Sequence, residues 1–299
     1  MELSLENITK FYGKNSALDS FSLRMTPGIY ALLGPNGAGK STLLNILTDN
    51  LKASSGTVVY TDESGVSESV AVMGERFREK LGFMPQAPSL YRNFSAERFL
   101  WYVASLKGMC RAEAARQIPE VLRTVELSDV AKRRIGTFSG GMKQRLSLAQ
   151  AILGDPEILI LDEPTVWLDP NQRISVRNYI SQISLNKIVL IATHIVSDVE
   201  HIAKEVIVMD KGRIVAKGSP TTLAQSVVGR VWQASVCAED VEAAQTRYRV
   251  TAITPQPTDS SRFTLRILSE QQPTPDAIKA EPVLEDFYWD TFGEQACSR

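Results

Sequence analysis

Leu3 to Ile8 and Leu18 to Met25 alternate apolar and polar positions, the two-residue period of strands with one buried face. Ile29 to Leu33 is a short apolar run that ends in a glycine-rich turn, and a helix is predicted from Lys40 toward Leu51. Thr57 to Tyr60 and Lys80 to Met84 read as further strands, with the polar stretch Thr61 to Ser69 as a surface turn between them. From Ser95 to Leu127 the period becomes helical. Phe99, Tyr102, Val103 and Leu106 recur at helical spacing, as do Ile118, Val121, Leu122 and Val125. A helix is predicted from Ser139 to Leu153, a buried strand at Ile158 to Leu161, a helix at Pro170 to Leu185 and a second buried strand at Ile188 to Ala192. Val206 to Met209 and Arg213 to Ala216 flank the hairpin turn Lys211-Gly212. Strands alternating with helices predict an α/β domain with a mostly parallel sheet over 1–220. Beyond Ser219-Pro220, three more strands (Arg230 to Val236, Tyr248 to Ile253, Phe263 to Leu268), a short helix at Ala238 to Ala244 and a linker at Gln271 to Pro275 predict a small α+β appendix over 221–299.

Composition narrows the classes without choosing among them. The 299 residues are 43% hydrophobic and 22% charged, ordinary for a globular chain with a core of its own. Lys and Arg number 33 against 34 Asp and Glu, so no basic excess offers itself to a phosphate backbone. The charge is uneven, with net −4 in the appendix (7 basic, 11 acidic) and +3 upstream (26 basic, 23 acidic). Cys110, Cys237 and Cys297 are odd in number and form no CxxC pair, which reads as reduced structural thiols of a cytosolic protein. No run approaches 18 uncharged apolar residues and the first ten positions carry Glu2 and Glu6, so neither a span nor a secretory signal is expected. Any work at a membrane then needs another chain to cross it.

Gly34-Pro35-Asn36-Gly37-Ala38-Gly39-Lys40-Ser41-Thr42 fits a Walker A phosphate loop between a strand and a helix. The glycines reach backbone angles that a Cβ forbids, so successive N–H groups point into one hollow. Lys40 places a charge between β- and γ-phosphates, Ser41 offers a hydroxyl to Mg²⁺, and the helix N-terminus favours the anion. A glycine turn that binds nothing competes with this reading, but the fixed positions arise by chance in only about one chain per hundred of this length. A base-reading NKxD motif is not present: Asn186-Lys187-Ile188-Val189 lacks the Asp and runs into an apolar strand.

About 120 residues downstream of that loop, Glu157-Ile158-Leu159-Ile160-Leu161-Asp162-Glu163-Pro164 is an apolar strand that ends in two acids. Asp162 is placed to reach Mg²⁺ beside the γ-phosphate, and Glu163, one residue further, to act as general base on a water. His194 ends the strand Lys187 to Thr193 and is a candidate to contact the γ-phosphate or to hold Glu163 and the water in line. Gln86, just past a strand, offers an amide oxygen to the metal or water, and Tyr12 offers a ring to adenine. Each of these three has an ordinary packing or loop role as its alternative. His201 is expected on a surface helix.

Thr137-Phe138-Ser139-Gly140-Gly141-Met142-Lys143-Gln144-Arg145 places a Ser and two glycines at a helix start, which makes a second anion site as well as an ordinary Ser cap. With Walker A before it and Asp162-Glu163 after it, this segment resembles the signature motif of ABC transporter nucleotide-binding domains. The resemblance covers residues 1 to about 220 and implies a P-loop cassette with an antiparallel β subdomain and a helical subdomain at about 87–150. It also implies ATP and Mg²⁺ as ligands, Tyr12 as the aromatic on adenine, Gln86 as the Q-loop residue, Glu163 as catalytic base and His194 as the switch histidine. Ser139, Gly140 and Gly141 would touch the nucleotide of a second cassette, and Asp169, in Val166-Trp167-Leu168-Asp169-Pro170, would be the D-loop acid.

Phe138 and Met142 stand where Leu and Gln are usual in the signature. Trp167 replaces the usual small D-loop residue and puts a bulky ring near the expected seam. The closing segment Pro282 to Trp289 resembles, more weakly, that of ABC-2 type exporter subunits. The resemblance thus implies a peripheral ATPase on the cytoplasmic face of a bacterial membrane. Its partners would be a permease on another chain and a second ATP-binding subunit, identical or related. The rival is a soluble ABC ATPase acting on nucleic acid or ribosomes. One cassette, no long heptad run and no basic patch speak against it, and no nucleic acid is expected. The aromatic-rich stretch from Gln86 to Tyr102, with Leu90, Tyr91, Phe94, Phe99 and Trp101, is the expected docking surface for the permease or, equally, subdomain core.

Overall fold

The computed structural model describes residues 1–257 and 259–296. Two compact units divide at Lys217 and Gly218. The first unit runs β1 (Glu2–Tyr12), β2 (Asn15–Met25), β3 (Gly28–Leu33), α1 (Lys40–Leu47), β4 (Ser55–Thr61), β5 (Ser67–Ser69), α2 (Val70–Met73), α3 (Glu75–Glu79) and β6 (Leu81–Met84). It continues with α4 (Ala96–Leu106), α5 (Arg111–Thr124), α6 (Gly140–Ile152), β7 (Ile158–Asp162), α7 (Pro170–Ile183), β8 (Ile188–Ala192), β9 (Glu205–Asp210) and β10 (Arg213–Gly218).

Its principal sheet has the order β10-β9-β3-β8-β7-β6. β9, β3, β8, β7 and β6 are parallel, whereas β10 joins as a hairpin through Lys211 and Gly212, both at positive φ as a two-residue turn requires. All five residues of β8 are buried, and so are the four apolar residues of β7. A parallel strand covered on both faces demands such an unbroken apolar run. The second sheet, β2-β1-β4-β5, is antiparallel, and its inward Leu3, Leu5, Ile8, Phe21 and Leu23 share one core with β3, α1 and β7.

The helical stretch expected over Ser95 to Leu127 is two helices. α4 starts at the cap Ser95, whose hydroxyl accepts from the Arg98 amide. It ends where Gly108 takes positive φ and Met109 N–H returns to the Ala104 carbonyl, a Schellman stop. The buried stripe of α4 is Phe99, Leu100, Val103 and Ala104, while Tyr102 and Leu106 face outward. The expected stripe is thus rotated by about one position. The polar stretch Thr61 to Ser69 is only in part a turn: Asp62 Oδ1 accepts from the Ser64 and Val66 amides to close it, and Ser67–Ser69 return as β5. His201 lies in a turn rather than on a helix.

The second unit holds α8 (Pro220–Gln225), β11 (Val231–Cys237), α9 (Val241–Arg247), β12 (Arg249–Gln256), β13 (Asp259–Leu268), β14 (Ile278–Lys279) and α10 (Leu284–Ala296). Its antiparallel sheet has the order β12-β13-β11-β14. Trp232, Ala234, Leu265, Ile267 and Ala277 form its core. Asp286, only 1% exposed, is gripped by Arg266 through two bonds of 2.7 and 2.6 Å and caps α10 by accepting from the Val283 amide. Removing either partner would strand a buried charge. Cys110 and Cys237 are free, as expected, but exposed rather than packed; Cys297 lies outside the described residues.

Candidate functional site

β3 delivers the chain into the loop that opens α1. At Gly34 and Gly39, φ is 154° and 104°, and a Cβ would lie 2.3 Å from the Met209 carbonyl oxygen and 2.5 Å from that of Ala17. Both positions therefore need glycine on two counts. Lys40 Nζ donates to the Gly34 and Pro35 carbonyls at 2.5 and 3.1 Å, so the loop and its own lysine hold each other in shape. The loop floors a cleft of about 210 Å³ lined by Ala17, Asn36, Gly37, Ala38, Gly39, Lys40, Ser41, Thr42, Gln86, Asp162 and Glu163. Strands β3, β7 and β6 each contribute the residues just past their C-terminal ends, the edge at which open parallel sheets hold ligands. α1 has no acid in its first turn to compete for the positive helix end.

Burial pushes the Lys40 pKa down, and Glu163 and Asp162 pull it back up. Burial, with the charge of Glu163 added, raises the Asp162 carboxyl from 3.8 to about 6, and Lys40 only partly offsets this. A half-buried carboxylate short of positive charge, with the Ser41 hydroxyl and Gln86 amide in the same cleft, is a hard-oxygen donor set that suits Mg²⁺. The unfolded chain ionises this group first as pH rises from 3.8 to about 6, so the anion costs stability that is fully felt above pH 6. Asp162→Asn is therefore expected to raise the stability of the nucleotide-free, metal-free protein at pH 7.5, by about 1–2 kcal/mol after solvent screening. Below pH 3.8 the gain should vanish. Denaturant melts at the two pH values check this; an equal gain at both would mean the charge is not its cause.

Glu163 is held from every side. It is buried at 7% exposure and sits at φ 52°. A left-handed backbone at a non-glycine costs about 1–3 kcal/mol and persists where surroundings enforce it. Its N–H donates to the Ala192 carbonyl at 2.8 Å, and its carbonyl accepts from Gln144 Nε2 at 2.7 Å. The carboxylate accepts from Thr193 Oγ1 at 3.0 Å and from the His194 amide at 3.1 Å, and His194 Nδ1 lies 2.7 Å from the same oxygen. Thr193 carries no motif signal of its own, and Gln144, although it stands in the Ser-Gly-Gly segment, carries none for a contact with Glu163. Only the neighbour of Thr193 in sequence, and the Ser-Gly-Gly helix that bears Gln144, pointed to this spot.

The other candidates stand apart from the cleft. Tyr12 ends β1 half exposed, with Lys10 Nζ 5.6 Å from its ring centroid, and does not line the cleft. Ser139 caps α6 by accepting from the Met142 amide at 3.2 Å, and neither it nor Gly140 nor Gly141 lines the cleft. Asp169 caps α7 by accepting from the Gln172 amide at 2.9 Å. Trp167, also left-handed at φ 69°, packs its Cβ against Gly140.

The family model described as ABC transporter matches residues 18–166. An uncharacterised ABC transporter ATP-binding protein of Bacillus subtilis (strain 168), YxlF, is 37% identical over 235 residues, which cover 78% of this chain and 76% of that protein. The Nod factor export ATP-binding protein I of Cupriavidus metallidurans is 34% identical over 229 residues, 76% of this chain and 74% of its own. Among solved structures, an ATP-binding subunit of an ABC transporter superposes with a TM-score of 0.68 at 26% identity, covering 76% of this chain and 93% of that one. Phosphate loop, Ser-Gly-Gly turn and strand-end acids thus belong to a known cassette, and this chain is a member of the ATP-binding, ATP-hydrolysing proteins of ABC transporters.

Proposed function

We propose that the chain is the ATPase subunit of an exporter, bound at the cytoplasmic face of a bacterial membrane to a permease on another chain. The observation that carries the reading is the meeting, in one cleft, of the phosphate loop with Asp162 and with a Glu163 clamped by Thr193 and His194. Export is supported by the Cupriavidus relative, a Nod factor export ATP-binding protein. Among the described residues no helix is long and apolar enough to cross a membrane, which fits a separate permease.

Lys40 and the backbone N–H groups of Gly34 to Thr42, Pro35 excepted, hold the phosphates, and Tyr12 stacks on adenine. Ser41, Asp162 and Gln86 would hold Mg²⁺, which would supply positive charge against the phosphates. Glu163 takes the proton of the attacking water, and His194, through its contact with the same carboxylate, fixes the geometry. Ser139, Gly140 and Gly141 cap the nucleotide of a second cassette, and Asp169 lies in the loop that joins the two. The rival, a soluble ATPase on nucleic acid or ribosomes, finds no support in a chain of net charge −1.

The permease is read as docking beside Gln86. Tyr91 stacks on Phe94 with centroids 5.1 Å apart, Tyr102 meets both edge-on, and Tyr91 is 48% exposed, so these rings form a surface cluster. Phe99, by contrast, is buried and belongs to the core. Changing Tyr91 and Phe94 together to Ala is expected to abolish transport and co-purification of an untagged membrane protein while basal ATPase and melting temperature stay near parental values. A collapsed melting temperature would return the rings to the core. Retained transport would move the docking surface elsewhere.

A further inference from the structure

The turn that follows β8 is tied to the turn that follows β7 at both of its ends. At its start, Thr193 and His194 grip the Glu163 carboxylate as described above. At its far end, Asp198 accepts a hydrogen bond from the hydroxyl of Thr165, two residues past Glu163. Thr165 and Asp198 are buried, at 2% and 6% exposure, and neither lines the phosphate cleft. Arg177, on α7, adds a third hold: one guanidinium nitrogen donates to the Ser197 carbonyl at 3.0 Å and lies 3.9 Å from Asp198 Oδ1. Between the anchors, Thr193 Oγ1 accepts from the Ile195 amide at 3.0 Å and the Asp198 amide donates to the Ile195 carbonyl at 3.2 Å. The contacts close a ring, from Glu163 through Pro164 to Thr165, across to Asp198, and back along the turn to His194 and Glu163. Withdrawing a carboxylate from water is costly, and an ion pair as long as 3.9 Å offsets only part of it. A hydrocarbon pair would join the two turns without that cost but would fix no direction, whereas a hydroxyl bonded to a carboxylate fixes one.

We propose that Asp198 is a positioning residue for hydrolysis: through Thr165 it fixes the backbone from which Glu163 reaches its water, while Thr193 and His194 fix the carboxylate itself. The inference rests on the reading of Glu163 as the base. Glu163 needs the second anchor because its backbone is the strained one, at φ 52° and directly before Pro164, where the range of allowed angles narrows further. With the side-chain clamp alone, relaxation of that backbone would carry both carboxylate oxygens, and the His194 that follows them, to a new place. A misplacement of about 1 Å can cost about 10²-fold in rate. The phosphate loop, built from β3 and α1, keeps its hold on the nucleotide throughout.

The test uses the full chain and reads single-turnover phosphate release beside the affinity and stoichiometry of ATP binding. Asp198→Ala is expected to slow release by about tenfold to 10²-fold while ATP affinity and the number of ATP sites per chain stay parental. Asp198→Asn keeps an acceptor for the Thr165 hydroxyl and should recover most of the rate, whereas Asp198→Leu, of similar size, should not. Thr165→Val removes the donor and should slow release as Asp198→Ala does, and the double variant should be no slower than the slower single, since both changes cut one bond. A merely structural role predicts a lower melting temperature and fewer ATP sites with an unchanged rate per bound ATP, and that result overturns the proposal. Where Asp198→Ala does not fold, Thr165→Ser, which keeps the hydroxyl, against Thr165→Val decides, and equal rates for the two overturn it. Added to Glu163→Gln, Asp198→Ala should cost little more; a further drop as large as in the parent places its effect elsewhere and overturns it too. A slow Glu163→Gln chain beside a parental Asp198→Ala chain overturns the positioning role alone. Parental turnover by Glu163→Gln overturns the base reading, and the positioning role with it.

Discussion

Replacing Glu163 by Gln is expected to lower ATP turnover by about 10²-fold or more while Mg-ATP remains bound. The amide keeps the shape of the side chain: its oxygen can accept from the His194 amide while its NH2, in place of the second oxygen, donates to Thr193 Oγ1, so the clamp survives with one bond reversed. What is lost is the base. The phosphate contacts proposed for Lys40 and the loop before α1 are expected to be untouched. Single-turnover phosphate release and equilibrium ATP binding, measured on the same preparation, separate the two effects. Turnover at the parental rate would remove Glu163 from the base role.

The second large effect comes from breaking the two halves of the site separately. Lys40→Ala deletes the charge proposed to face the phosphates and the two bonds to the Gly34 and Pro35 carbonyls, so ATP affinity itself should fall by about tenfold or more. Gly140→Asp puts a carboxylate on the Ser-Gly-Gly turn, where a γ-phosphate of the other cassette would approach. It should leave monomer affinity nearly unchanged and abolish closure. Each variant alone should be close to inactive. Mixed, they regenerate one seam with an intact loop facing an intact turn, and part of the activity should return. Full ATPase activity in a strictly monomeric preparation, checked by sedimentation with ATP present, would contradict the composite site.

The glycine-rich loop was legible in the sequence because its demands are local: glycine where φ is positive and space is absent, and a lysine that reaches back to the loop's own carbonyls. β7 and β8 were legible because doubly covered strands tolerate no polar residue. α10 was not read as a helix. Its buried face includes Asp286, whose burial makes sense only with Arg266 twenty residues earlier, so a charge interrupts the apolar period. β5 was hidden for a similar reason: Ser67–Ser69 carries no strand signal and exists because β4 is there to pair with it. Within the site, the contacts of Thr193 and Gln144 with Glu163 were missed because they are distances, and single-chain periodicity encodes no distances of that kind. The rotated stripe of α4 reflects competition between two apolar faces that spacing alone ranks equally.

The strand order has a consequence for scale. The phosphate loop leaves from β3 and the acids from β7, and a single strand, β8, lies between them. Hydrogen-bonded strands stand about 4.8 Å apart, so the two halves of the cleft are held roughly 10 Å from each other by backbone pairing alone. That gauge is set by peptide geometry and is indifferent to which side chains fill the sheet. β8 is also the strand whose end supplies Thr193 and His194, the clamp on Glu163. The spacer and the brace are one element. A bulge or slip in β8 would widen the gap and release the carboxylate in a single displacement.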